Sequence, residues 1–186
     1  MKVAVAGLLI IVLLSGCTSK DKLIDRSMNL RKQILEAESC SFQVGITADY
    51  YNQSYTFQMD CVSDSSGNLI FAVTDPDSIN GITGTLSHEG GALTFDDKIL
   101  AFPLLTQLQL SPVSGPWIFL NTLKSGYITG CSSEKDGYTI YIDDSFADNP
   151  LHLQVNTNSK MIPYRAEIIW QDRRIISLDI HNFTIV

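Results

Sequence analysis

Basic side chains are scarce in this sequence of 186 residues, which has 13 Lys and Arg against 20 Asp and Glu and a formal net charge of −7. An acidic chain has no basic footprint for nucleic acid, and anionic lipid headgroups repel it. Cysteine is scarce too, with four residues and no CxxC pair, so neither a thiol redox motif nor a zinc knuckle is indicated. Nucleic acid is therefore not an expected partner.

Catalytic motifs are also missing. There is no G-x-S-x-G nucleophile elbow and no H-E-x-x-H zinc motif. The histidines His88, His152 and His181 lie far apart in the chain, and an S-x-x-K match at residues 19–22 falls in a short polar segment where nothing holds a nucleophile against a base. We therefore expect a protein that is not an enzyme, with no cofactor and no metal.

No apolar run reaches the roughly 20 residues that a membrane-spanning helix needs. The run that is present, residues 3–14, follows Lys2 and ends in Leu14-Ser15-Gly16-Cys17, which is the order of a secretory signal. These last four residues resemble the bacterial lipobox, in which the peptide is cut before a cysteine that carries the lipid. The alternative is an uncleaved N-terminal anchor with a chance cysteine.

The lipobox resemblance implies a domain plan and a location. Residues 1–16 are a lipoprotein signal peptide, Cys17 is acylated (palmitate or a similar chain), residues 17–22 form the lipidated cysteine with its tether, and residues 23–186 are the folded domain. The protein is then anchored to the cell membrane on its extracytoplasmic side. Because the chain is acidic, attachment comes from the acyl chains and not from a charged patch.

Hydrophobic periodicity divides the domain into one helix and a long series of strands. Residues 21–38 have apolar side chains at a helical period, and from residue 40 the period changes to two. In the first hairpin we pair residues 50 with 55, 48 with 57, 46 with 59 and 44 with 61, which puts both apolar sets on one face. A short helix is predicted over 116–124, capped by Ser114 and ended by Gly126.

Turn residues separate further strands at 69–74, 82–87, 92–95, 99–102, 127–133, 138–143, 151–156, 165–170 and 175–186. The predicted fold is α+β and mainly β, a meandering antiparallel sheet of about 10–11 strands with an N-terminal helix and a short helical insertion. A single sheet of this length must bury its apolar face by closing, stacking or curling around helices.

This order of elements resembles the lipoprotein-localisation-factor superfamily, which includes LolA, LolB and LppX-type proteins. The resemblance lies in the hairpin at residues 40–61, Asp75-Pro76 after a strand, the turn at 95–98 and the closing hairpin at 163–186. It implies an incomplete β-barrel of about eleven strands curved around an apolar cavity, with the helices over its concave face. No functional residue of that superfamily is carried over to this sequence.

Candidate site residues come from the apolar surplus, because the strands carry more aliphatic and aromatic surface than one helix covers. If a cavity is present, it suits acyl chains; the alternative is a fully packed core. Residues 100–110 are strongly apolar yet flanked by prolines, and form a lid or partner surface if exposed and a plug if buried. The candidates for ligand or partner contact are Phe42, Val44, Phe57, Met59, Phe102, Leu105, Trp117 and Phe119.

Cys40, Cys61 and Cys131 remain after Cys17 is assigned to the lipid. An odd count leaves at least one thiol unpaired within the monomer, and we expect all three to behave mainly as buried small apolar residues. One bridge among them is compatible with an oxidising compartment, and the sequence does not say which pair would form it.

Two functional hypotheses follow. In the first, the protein is a non-enzymatic lipoprotein that binds or presents a lipid or lipidated ligand in the apolar cavity. In the second, it keeps the same fold but is an interaction lipoprotein that holds a cell-envelope enzyme, similar to the germination lipoprotein that partners a cortex-processing amidase. The expected partners are the membrane, through Cys17, and either a lipid or lipoprotein ligand or an envelope protein.

Overall fold

The computed structural model describes residues 18–50, 53–96, 98–102, 105–106 and 109–186. The signal segment 1–16 and Cys17 lie outside the described residues, so both assignments stay predictions.

Two α-helices lie in the described part of the chain, α1 (Thr18–Glu36) and α2 (Gly115–Ser125). The first begins three residues before the predicted start at Asp21, so the expected tether is helical from Thr18 onward. Neither helix is long and apolar enough to cross a membrane.

A 3₁₀ turn, Pro112–Ser114, runs directly into α2 and corrects the predicted cap. Ser114 has helical backbone angles (φ −78°, ψ −13°), and its hydroxyl donates to the Ser111 carbonyl oxygen at 2.6 Å. A capping side chain needs an extended residue in front of the helix, which the 3₁₀ turn removes. Gly126 ends the helix as predicted, and its N–H donates to the Thr122 carbonyl oxygen.

The strands within the described ranges are β1 (Ser39–Tyr50), β2 (Gln53–Asp64), β3 (Leu69–Asp75), β4 (Thr83–Ser87), β5 (Gly90–Phe95), β6 (Lys98–Phe102), β7 (Leu105–Thr106), β8 (Gln109–Leu110), β9 (Tyr127–Ser133), β10 (Gly137–Asp143), β11 (His152–Asn158), β12 (Pro163–Trp170) and β13 (Arg173–Ile185).

Eleven of these strands form one open antiparallel sheet in the order β6-β5-β4-β3-β2-β1-β13-β12-β11-β10-β9. The first and last strands of the sheet in chain order are therefore neighbours at its centre, and β6 and β9 are its edges. The small strands β7 and β8 pair with each other. The predicted fold class is confirmed, a mainly β protein with one eleven-stranded antiparallel sheet, an N-terminal helix and a second short helix.

The register of the first hairpin differs from the prediction by two residues. Tyr50 pairs with Gln53, Val44 with Met59 and Phe42 with Cys61. A shift of two keeps every side chain on its predicted face, because side chains alternate with a period of two. The apolar pattern therefore determines which face a side chain occupies, but it does not determine the register.

Both helices lie on one face of the sheet, which we call the inner face; the other is the outer face. Helix α1 packs against β9 and α2, and α2 packs against β10 to β13. The side chains that the inner face contributes from β1, among them Val44, Ile46 and Ala48, are almost completely buried. The core therefore lies between the sheet and the two helices.

Candidate ligand-binding face

The four predicted site residues of the first hairpin come together on the inner face. Phe42, Val44, Phe57 and Met59 are 3%, 2%, 6% and 1% exposed. They alternate along β1 and β2, and Val44 and Met59 are direct cross-strand partners. These side chains are part of the core wall against which the helices pack.

Helix α2 brings the next two candidates onto this wall. Phe119 is fully buried, with its ring edge-on to Phe42 (centroids 6.0 Å apart, planes at 80°) and to Phe183 (6.2 Å, 75°). Trp117 is 9% exposed, and its indole N–H donates to the Gly67 carbonyl oxygen at 3.0 Å. In the described structure, α2 occupies the space over the centre of the inner face.

The last two candidates lie on the connection between the sheet edge and α2. Phe102 ends β6, where it pairs with Gly91, and Leu105 begins β7, where it pairs with Leu110; their side chains lie outside the described residues. Tyr50 holds this connection to the first hairpin, since its hydroxyl donates to the Leu110 carbonyl oxygen. Burial, with a smaller contribution from Tyr55, raises the pKa of Tyr50 to about 12.

The inner face is less well covered at its β6 end. Leu93 of β5 is half-buried, whereas Phe95 is 42% exposed and Leu100 of β6 is 60% exposed. The register places all three on the inner face, because Phe71 pairs with Gly84, Gly84 with Leu93 and Leu93 with Leu100. Apolar side chains of the inner face are therefore accessible to solvent at this end of the sheet.

Leu93, Phe95 and Leu100 are not among the residues predicted from the sequence, although Leu100 falls in the apolar stretch 100–110. The signal that would have found them is the cross-strand register of β5 and β6, which pairs Phe95 with Lys98 and puts Leu93 on the face of Phe71. That register needs the strand order, which the sequence pattern does not contain.

The outer face is polar where it forms a groove of 330 Å³ across β1, β2 and β13. Gln43, Asp60, Asp179 and His181 are among the residues that line it. An acyl chain placed there would desolvate charged and hydrogen-bonding groups without replacing their partners. The inner face is therefore the better candidate for an apolar ligand.

Three cysteines of the described residues are free thiols, Cys40 and Cys61 being buried and Cys131 half-buried. Burial raises the pKa of Cys40 and of Cys61, so both thiols stay protonated and behave as small apolar groups. The Cys131 Sγ atom lies 3.0 Å from the Ser27 Oγ atom, at the contact between β9 and α1.

The histidines are not brought together. His152 Nδ1 lies 2.6 Å from Asp143 Oδ1, His88 lies edge-on to the Trp117 ring at 5.0 Å, and His181 of β13 pairs with Gln43. Within the described residues, no group of three His, Cys, Asp or Glu side chains is arranged to hold a metal ion.

Comparison with known proteins gives similarity at the level of solved structures. No family model and no curated protein matches the chain. A LolA superfamily protein from Nitrosomonas europaea matches with a TM-score of 0.47 and 12% identity, over 88% of this chain and 93% of that chain. The Mycobacterium tuberculosis lipoprotein LppX matches with a TM-score of 0.41 and 13% identity, over 87% and 93%.

LprF from Mycobacterium bovis matches with a TM-score of 0.40 and 11% identity, over 88% of this chain and 93% of that chain. Each of these matches spans nearly the whole of this chain. They include LolA-type and LppX-type proteins, the two types that the order of elements in the sequence resembles. The ligands of these proteins are not thereby ligands of this chain.

Proposed function

We propose that this protein is a membrane-anchored, extracytoplasmic lipoprotein without enzymatic activity, which binds or presents a lipid or lipidated ligand on its inner face. The observation that carries the proposal is the apolar β6 end of that face, where Phe95 and Leu100 are 42% and 60% exposed while the neighbouring core residues are buried. A ligand with acyl chains would cover this lining, and each methylene that leaves water contributes about 0.8 kcal/mol.

The anchor is supported by the lipobox-like residues Leu14 to Cys17 at the end of an apolar segment. An acylated protein does not diffuse freely between membranes, because stable attachment through two or more lipid chains is long-lived. The protein would then receive, hold or present its ligand at one membrane surface. Mass spectrometry of the mature chain tests the anchor, with acyl groups expected on Cys17 and none expected in a Cys17→Ser variant.

Ligand binding is tested with two neighbouring residues on opposite faces of β6. Leu100 is on the inner face, and Ile99, which is 76% exposed, is on the outer face. Native mass spectrometry of the detergent-released protein should find co-purifying lipid in the unmodified protein and in Ile99→Gln, and a reduced amount in Leu100→Gln. An equal amount of lipid in both variants, or none in the unmodified protein, contradicts the proposal.

The second candidate, an interaction lipoprotein for an envelope enzyme, is favoured by the filled centre of the inner face. Phe42 and Phe119 are in ring contact and are 3% and 0% exposed, so an acyl chain has no room between β1 and α2 there. Affinity purification from membranes would then yield one envelope protein in stoichiometric amount. Both β6 variants should weaken that capture, because a protein docked on an edge strand touches both of its faces.

A further inference from the structure

Helix α1 carries apolar side chains on two sides, and only one of these sides packs against the rest of the protein. Ser27, Leu30 and Ile34 face the sheet and are 1%, 4% and 1% exposed. A second stripe, which we call the outward stripe, consists of Ile24, Met28 and Leu35, with exposed fractions of 42%, 48% and 58%. At 100° per residue, the outward stripe lies about 100° around the helix axis from the buried one.

The outward stripe is continuous, because the charged residue within it turns away. Arg31 lies between Met28 and Leu35 at the same heptad spacing, but its Nε–H donates to the Leu123 carbonyl oxygen at 2.8 Å. Burial lowers the pKa of Arg31, in keeping with a guanidinium held between the two helices. Along the axis the stripe is about 16 Å long, at 1.5 Å per residue.

The charge of α1 is opposite to that of the protein as a whole. Its sequence contains five Lys or Arg and three Asp or Glu residues, whereas the whole chain has a net charge of −7. Next to the outward stripe on the solvent side lie Asp25, Lys32 and Glu36, so the excess of basic residues belongs to the helix as a whole. An amphipathic helix with an exposed apolar stripe and a net positive charge is typical of segments that lie in a membrane interface. With five basic and three acidic residues, the helix has a net charge of +2, which opposes the repulsion between anionic headgroups and the acidic chain as a whole.

The position of α1 in the chain agrees with such a contact. The helix begins at Thr18, directly after Cys17. A lipid on Cys17 would hold the first turn of α1 at the bilayer surface. The outward stripe would then already lie close to the membrane.

We propose that the outward stripe of α1 inserts into the headgroup–acyl boundary of the membrane that holds Cys17, so that the helix lies flat and fixes the orientation of the domain. This inference rests on the lipid anchor of the proposed function. Because α1 packs at the β9 edge, the less covered β6 end lies at the far edge of the sheet from the membrane contact.

The test places an environment-sensitive fluorescent amino acid at position 28, 35 or 70 of the full chain, processed and acylated in the producing cell. Ile70 is the matched control, since it is 55% exposed on the outer face of β3, with six strands between it and β9. In phosphatidylcholine–phosphatidylglycerol vesicles that contain a nitroxide-labelled lipid, we expect a blue shift and quenching at positions 28 and 35, and neither at position 70.

A matched pair of charge variants sharpens the result. With the probe at position 28, Leu35→Glu should abolish the quenching, whereas Ile70→Glu, which adds the same charge elsewhere, should leave it unchanged. Acylated, vesicle-bound protein whose probes at 28 and 35 behave like the probe at 70 overturns the inference. So does shielding seen in native membranes and lost in protein-free vesicles, which would identify a protein partner for the stripe.

Failure of the anchor is distinguished by the same preparation. If mass spectrometry finds no acyl group on Cys17 and the protein is recovered in the soluble fraction, the proposed function fails at its first step. If Cys17 is acylated and the probes remain unquenched, only the docking of α1 fails.

Discussion

Replacing Phe119 by alanine separates a plug from a lid, the two roles that an apolar insertion over a sheet can have. The side chain is fully buried, and its ring is edge-on to those of Phe42 and Phe183 at 6.0 and 6.2 Å. If α2 is a permanent part of the core, the substitution leaves a cavity between the helix and β1. If α2 spends much of its time away from the sheet, the contact is only partly present and its loss costs little.

The expected cost follows from burial and ring contacts. Removing a fully buried phenylalanine side chain destabilises a protein by about 3–5 kcal/mol. Each aromatic pair contributes about 0.5–1.5 kcal/mol beyond area burial, so a Phe42–Phe119 double-mutant cycle should show coupling of that size. For a domain of this length the melting temperature falls by about 2–4 °C per kcal/mol, which gives a decrease of about 6–20 °C.

Equilibrium urea unfolding, followed by tryptophan fluorescence, measures this cost. Phe146→Ala is the matched control, because Phe146 is 82% exposed and contacts only the Tyr127 ring among the aromatic side chains described. It should cost about 1 kcal/mol or less. A Phe119→Ala variant that unfolds within about 1 kcal/mol of the unmodified protein would refute the plug role.

Three further predictions concern local contacts. In Gly84→Ala, the added Cβ atom would lie 2.4 Å from a carbonyl oxygen, so urea unfolding should show a loss of about 1–3 kcal/mol, whereas Gly130→Ala, with nothing closer than 3.8 Å, should show little. Asn68→Ala should raise the pKa of Asp64 in an NMR titration, because the Asn68 side chain is the largest cause of its lowering; the stabilisation is present at neutral pH and is lost as pH falls through the folded-state pKa. Tyr50→Phe should lower the free energy of unfolding by about 0.5–1.5 kcal/mol, because it removes the hydrogen bond to the Leu110 carbonyl oxygen. The ultraviolet titration should lose the tyrosine whose pKa is raised to about 12. Because the folded state raises this pKa, the contribution of Tyr50 to stability is complete below the pKa of the unfolded chain and is lost as pH rises through the folded-state pKa.

Much of the architecture could be predicted, because the side chains that a strand or helix buries recur at a regular spacing in the sequence. The alternation of β1, with Phe42, Val44 and Ile46 inward, determines a strand and its face. The same alternation does not determine register, since a shift of two residues leaves every face unchanged, and the first hairpin was placed two residues away from its true pairing. The cap predicted at Ser114 was wrong for a related reason, because a preceding 3₁₀ turn is not visible in the residue types.

The candidate site was predictable only in part, since it is assembled from distant segments. The aromatic character of Phe42 and Phe119 predicts that both are core or contact residues. Their ring contact joins β1 to α2, which is distant in the sequence, and it could not be predicted without the strand order. Exposure at Leu100 likewise depends on how far the helices extend over the sheet. The net charge of −7 for the whole chain also gave no sign that α1 has more basic than acidic residues, because it sums a cationic helix and an acidic remainder.

The pairing of β1 with β13 has a consequence for how the chain comes into being. Cys40 pairs with Ile185, and the Ser39 N–H donates to the Val186 carbonyl oxygen, so the centre of the sheet is a seam between the earliest and the latest strands. Contacts between such distant segments form slowly, because loop closure must precede them. A chain threaded through a secretion pore from its N-terminus would have β1 outside with an open edge until β13 emerged. In an exported chain, the central pairing of the sheet would therefore form only after the last strand had emerged.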